Sequence, residues 1–154
     1  MKSKESIPEI IDNVWRVFQA INEYSKTAER STGLTGPQLW ALKILVNYAP
    51  IRVSDLARQM YLSPATVVGI IDRLEGKGLV TRSRSKDDRR AVDLHLTQQG
   101  KELAALAPEI AQIMLVKGLE QLPDELFYAV EAGMKQLVRM LDAERIIPQP
   151  LYGP

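Results

Sequence analysis

The chain has no cysteine among its 154 residues, which excludes a disulfide, a thiolate nucleophile, a Cys-ligated zinc and a peroxide-sensing thiol. It has one histidine, His95, so a two-histidine metal site and most histidine-based catalytic arrangements lack their parts within one chain. A glycine-rich phosphate loop of the G-x-x-x-x-G-K type is missing too. Neither an enzyme nor a metal or cofactor is expected. Long hydrophobic runs are also lacking: the longest stretch without a charge, Gln59 to Ile71, is too short to cross a bilayer and contains polar residues. The first ten residues, MKSKESIPEI, carry no apolar signal-peptide core, so a cytoplasmic protein with no membrane partner is expected. Nor is there an excess of one charge, with 20 Lys and Arg against 19 Asp and Glu.

What is present is an ordinary globular composition, 45% hydrophobic and 25% charged, enough for one compact core. The charges are unevenly placed. Residues 52–101 carry a surplus of four positive charges, and residues 102–154 an equal negative surplus. Between Arg73 and Arg90, seven bases (Arg73, Lys77, Arg82, Arg84, Lys86, Arg89 and Arg90) face only Glu75, Asp87 and Asp88. A local basic patch in a neutral protein is the electrostatic footprint of a nucleic-acid contact. Charge alone fits a solvated hairpin equally well.

Apolar positions recur at helical spacing over residues 7–30, with Ile7, Ile10, Ile11, Val14, Trp15, Phe18 and Ile21 on one face. Thr35 and Pro37 read as the cap and first turn of a second helix to about Tyr48. A short third helix is expected from Ser54, as its cap, to Met60. Ser63 and Pro64 begin a fourth, with Val67, Ile70, Ile71 and Leu74 on its apolar face, ended by Gly76 and Gly78. The period then changes to alternation, giving two strands, Leu79 to Arg84 and Val92 to Leu96, joined by the all-polar run Ser85 to Arg90, which is expected to lie outside the core. Thr97 caps a fifth helix carrying Leu103, Leu106, Ile110, Ile113 and Met114, with a kink at Pro108. A sixth helix starts at Pro123 to Glu125, and Ile146 to Pro154 reads as an extended tail. The lobe core is expected from Leu56, Val67, Ile70, Ile71, Leu74, Leu79, Leu94 and Leu96.

Two short helices joined by a tight turn and followed by a hairpin with a basic tip make a winged helix-turn-helix, whose second helix fits the major groove of double-stranded DNA. The run from Asp88 to Gly100, DRRAVDLHLTQQG, resembles the wing signature D-x-R with L-T-x-x-G of the MarR family of bacterial transcription regulators. The run from Ser63 to Val80 is similar to that family's recognition helix and its turn into the wing. The resemblance covers about residues 7–145. It implies a mainly α fold with a small β-hairpin wing: an N-terminal dimerisation helix over 1–34, a winged DNA-binding lobe over 35–97, dimerisation helices over 98–145 and a tail over 146–154. It further implies a homodimeric regulator, a repressor or activator with repression favoured, on pseudo-palindromic operators, and relief of binding by small aromatic or phenolic ligands.

By motif position, Arg90 is the minor-groove arginine and Asp88 the acid that orients it. Arg82, Arg84, Lys86 and Arg89 share the basic wing. Ser63, Pro64, Ala65, Thr66, Val68 and Gly69 lie at the groove end of the recognition helix, where Ala65, Thr66, Val68 and Gly69 would face base edges. None of these four makes the bidentate contacts that read guanine or adenine, so thymine-methyl contacts and groove shape would supply much of the selectivity. Arg73 and Lys77 are expected at phosphates, with a surface pair to Asp72 or Glu75 as the alternative. Trp15, Arg16, Tyr24 and Trp40 are candidates for an aromatic-ligand pocket, although core packing is the favoured role of both tryptophans. His95 reads as an exposed strand residue rather than a pH sensor. A winged helix used for protein contacts is the competing reading.

Overall fold

In the computed structural model, residues 6–150 are described, so the first five residues and the last four of the expected tail lie outside the description. The order is α1 (Ser6–Thr32), α2 (Gly36–Tyr48), β1 (Ile51–Arg52), α3 (Val53–Met60), α4 (Pro64–Gly76), β2 (Val80–Arg84), β3 (Val92–Leu96), α5 (Gln98–Leu106), α6 (Ala111–Glu120) and α7 (Asp124–Met140). The fold is mainly helical, with one three-stranded antiparallel sheet in the order β1-β3-β2. Thr35 caps α2 through a complete capping box with Gln38, as the sequence predicts.

Three local expectations are corrected. Ser54 does not cap the third helix: α3 starts at Val53, with Arg52 at the cap position and no side-chain cap bond. Ile51 and Arg52 pair with Leu94 and Asp93 as a strand, so the chain is already extended at Arg52 and turns directly into the helix. Pro108 does not kink the fifth helix but divides it. Residues before proline avoid helical backbone. Accordingly Ala107 is extended, α5 ends at Leu106, and α6 begins after an extended Ile110. The break is bridged from α2, where the Lys43 ammonium donates to the Pro108 carbonyl at 2.9 Å. Half-burial there costs Lys43 part of its solvation and lowers its pKa. Ser85 is buried and not outside with the rest of the wing tip, because its N–H donates to Ala91 O at 2.9 Å and closes the loop inward.

The core lies in the winged lobe. Leu34, Leu39, Leu42 and Leu45 from the first half of the chain pack with Leu56, Met60, Val67, Ile70, Ile71, Leu74, Leu79 and Leu94, all nearly inaccessible. Of the expected core only Leu96 remains partly accessible. The other helices are different. Ile7, Ile10, Ile11, Trp15 and Phe18 of α1 are exposed, and α7 buries none of its residues while presenting Leu126, Phe127, Val130 and Met134 to the surface. No helix among the described residues is long and apolar enough to cross a membrane.

Candidate nucleic-acid interface

The interface is assembled from α4 and the β2–β3 hairpin. The turn before α4 uses Tyr61 in left-handed backbone, φ 55°, so that Leu62 N–H can return to Ala57 O and end α3. Ser63 then caps α4: its Oγ accepts from Thr66 N–H at 3.2 Å and lies 2.9 Å from Thr66 Oγ1. Pro64, Ala65 and Val68 are exposed and Gly69 is partly so, while Val67, Ile70, Ile71 and Leu74 hold the opposite face in the core. Thr66 departs from its expected role. It is buried and bonded to its own cap, so it does not face base edges.

The wing base is tied at both ends of the hairpin. Thr97 N–H donates to Leu79 O at 3.1 Å, and Thr97 Oγ1 donates to Gly78 O at 2.8 Å while accepting from Gly100 N–H at 3.0 Å. At the tip, Asp88 Oδ1 accepts from Arg90 N–H at 2.9 Å, and Ala91 N–H donates to Asp88 O at 2.9 Å. Asp88 therefore shapes the turn that carries Arg90 and, contrary to expectation, does not hold its guanidinium. No ion pair among the described residues involves Arg84, Lys86, Arg89 or Arg90, all of which are exposed. Four unpaired cations on one protruding loop form a surface whose natural complement is a polyanion.

The helix-turn-helix, its sheet and the D-x-R wing followed by L-T-x-x-G thus occupy one continuous lobe, and residues 34–92 match the MarR family. The chain belongs to the MarR family. It is 38% identical over 106 residues to the uncharacterized HTH-type transcriptional regulator YfiV of Bacillus subtilis, an alignment covering 69% of this chain and 66% of that protein, just under two-thirds. It is 33% identical over 108 residues to the organic hydroperoxide resistance transcriptional regulator of the same species, covering 70% and 72%. Among solved structures, a MepR-like protein complexed with pseudoligands superposes with a TM-score of 0.61 at 29% identity, over 88% of this chain and 96% of that one. These relatives are regulators and not enzymes.

The MarR L-T-x-x-G signature has a local cause here. A Cβ on Gly100 would overlap the Leu79 carbonyl oxygen and lie 2.7 Å from Leu96 Cδ1, so the close packing of α5 on the wing base leaves room only for glycine. Arg82, expected within the basic wing surface, is turned inward instead. It pairs across the hairpin with fully buried Leu94 and ties the wing to α4, Nη1 donating to Glu75 Oε1 and Nη2 to Asp72 Oδ1, each at 2.6 Å. Burial opposes its charge, but the two acids outweigh that and raise its pKa. Those acids are therefore taken by Arg82 and not by Arg73 or Lys77. Arg73 is exposed, and the Lys77 ammonium donates to Gly33 O, at the end of α1, at 3.2 Å. His95, partly buried, bonds through Nε2 to Ser83 Oγ at 2.7 Å across the hairpin.

The four candidate ligand residues are not brought together. Trp40 lines both a cavity of about 750 Å³ between α2, α5 and α6 and a smaller one of about 210 Å³ beside α1, whereas Trp15, Arg16 and Tyr24 line neither. Trp40 packs on the core as favoured. Trp15 does not: it is 61% exposed, and its ring lies tilted against Phe18 of its own helix, 6.3 Å between centroids. Sequence reasoning missed Lys43, whose signal was a lone cation on a strongly apolar helix and which shares the larger cavity with Trp40, Tyr48 and Lys117.

Proposed function

We propose that this chain is a cytoplasmic transcriptional regulator, acting as a repressor, that binds pseudo-palindromic double-stranded DNA as a homodimer. The observation that carries the reading is the exposed, unpaired cluster Arg84, Lys86, Arg89 and Arg90 on the wing, together with the exposed Pro64, Ala65 and Val68 at the start of α4. In this arrangement Arg90 enters the minor groove, where narrow width deepens the negative potential, and Pro64, Ala65, Val68 and Gly69 lie in the major groove. Arg73 and Lys77 meet phosphates, which fix register and carry no sequence information. Residues 35–97 form the DNA-binding lobe. The dimer is supported by the exposed apolar faces of α1 and α7, since faces of that length are typical of obligate interfaces of roughly 2,000–5,000 Å²; residues 1–34 and 98–145 serve it.

A dyad places two α4 helices in successive major grooves about 34–36 Å apart, so half-sites are spaced one helical turn apart. Selection of bound duplexes from a random pool tests this: a pseudo-palindrome with that spacing supports it, and direct repeats, or no enrichment at all, refute it. Release is assigned to a small aromatic or phenolic ligand held near Trp40, acting by its differential affinity for two arrangements of the lobes. A thermal-shift screen with salicylate-like compounds is expected to stabilise the protein and weaken DNA binding. With no cysteine in the chain, peroxide has no thiol through which to release DNA.

A further inference from the structure

We propose that Arg82 is the positioning residue of the DNA interface: it fixes the wing against the recognition helix and does not itself touch DNA. The proposal rests on the DNA-binding reading above. Its basis is the fork of two charge-assisted bonds that Arg82 sends from the middle of β2 to α4. Asp72 and Glu75 are three residues apart, hence neighbours on one helix face, and each takes a different guanidinium nitrogen at 2.6 Å. Among the described residues these are the only side-chain hydrogen bonds or ion pairs that join α4 to the hairpin. The hairpin's base is held by the buried Val80 and Leu94 and by the pairing of β1 with Leu94 and Asp93; beyond Arg82, Ser83, Arg84 and residues 86–90 are exposed, and Ser85 is buried.

The contacts to DNA come from two separate elements, and simultaneous contact requires a set distance between them. Arg82 sets it. With its side chain 26% exposed against 59% for Asp72 and 42% for Glu75, the arginine is the inner member of the cluster and the acids are the outer ones. Lysine cannot take over, because one ammonium on a flexible stem does not reproduce a planar fork spanning two acids. Both acids of the fork are solvent-exposed, and ion pairs to such acids add little to global stability, so removing the fork is expected to leave the lobe folded while freeing the wing.

The test compares the wild type with Arg82→Ala, Arg82→Lys, Asp72→Asn/Glu75→Gln and the triple combination. Affinity for the selected duplex and for random DNA is measured at several salt concentrations, and amide exchange of residues 83–92 is followed without DNA. A positioning role predicts roughly tenfold weaker specific binding in Arg82→Ala, little rescue by Arg82→Lys, and faster exchange at the wing tip. It also predicts that Arg82→Ala has no further effect once the acids are neutral. The slope of log K against log salt should stay unchanged, whereas losing a phosphate contact lowers it by about 0.9. A slope reduced by that amount would make Arg82 a phosphate ligand and overturn the proposal. Unaltered specific affinity with unaltered wing exchange overturns it as well. Failure of the wild type to bind any duplex overturns the DNA reading, and the positioning role falls with it.

Discussion

Replacing Gly100 with alanine adds one methyl group, and the structure assigns that methyl a large cost. It would overlap the Leu79 carbonyl oxygen and sit 2.7 Å from Leu96 Cδ1, roughly 0.7 Å short of ordinary contact at 3.4 Å. The leucine can rotate away, but the carbonyl belongs to backbone that also accepts from Thr97 N–H at 3.1 Å. Relief therefore requires α5 to lift from the wing base. Overpacking of this kind costs about 1–3 kcal/mol, and the backbone collision puts Gly100→Ala at the upper end. Two glycines of the same lobe calibrate the scale. Gly76, with nothing near its missing Cβ and no positive φ, should gain about 0.4–1 kcal/mol as alanine through the reduced entropy of the unfolded chain. Gly78, at φ 73°, should lose about 1–2 kcal/mol because an L side chain is strained there. Urea denaturation at one fixed protein concentration reads all three midpoints, the concentration being held because the proposed assembly would contribute to apparent stability. Gly100→Ala as stable as the wild type, or Gly76→Ala less stable than Gly78→Ala, would refute the packing argument.

Arg90→Ala is expected to weaken specific binding and flatten the preference for A·T-rich flanks in duplex titrations. Asp88→Ala should be a milder version, because it removes the acceptor of the Arg90 N–H and leaves the guanidinium in place. Lys77→Ala should weaken all duplexes alike and reduce the salt slope by about 0.9 in the same titrations, since one bond to Gly33 O leaves the ammonium two donors for a phosphate. If the proposed dimer is right, Met134→Glu, on the exposed face of α7, should convert it to monomer in sedimentation at micromolar concentration and abolish tight binding to a two-half-site duplex.

Much of the lobe is legible in the sequence because its signals are local and mutually consistent. Thr35, Ser63 and Thr97 each cap a helix in the structure, and the period shift after Gly78 marks the hairpin. β1 is invisible because two residues cannot show alternation, and its partner strand lies some 40 residues on. The role of Arg82 was readable in principle. Val80, Arg82 and Arg84 share one face by strand parity, Val80 is apolar, and Asp72 and Glu75 stand one turn apart on the preceding helix, yet a count of charges treats every arginine as equally outward. Trp15 was misplaced for the opposite reason. An apolar stripe announces burial without naming the surface that provides it, and among the described residues this stretch of α1 stays exposed. The ligand residues were grouped by chemical type, and only the packing of α2 against α5 and α6 shows that Trp40 and Lys43 share a cavity from which the other three are absent.

Among the described residues, nothing buries any side chain of the 17-residue helix α7. Most helical stability in proteins comes from tertiary packing. The persistence of α7 is therefore a matter of supply. A newly made chain that has not met its covering surface offers Leu126, Phe127 and Met134 on a fraying segment, which is the kind of substrate that quality-control proteases take. If the proposed dimer covers α7, chains made in excess of partners would be removed while assembled ones are spared, and the chemistry of the C-terminal third, rather than the stability of the winged lobe, would limit the level of the protein.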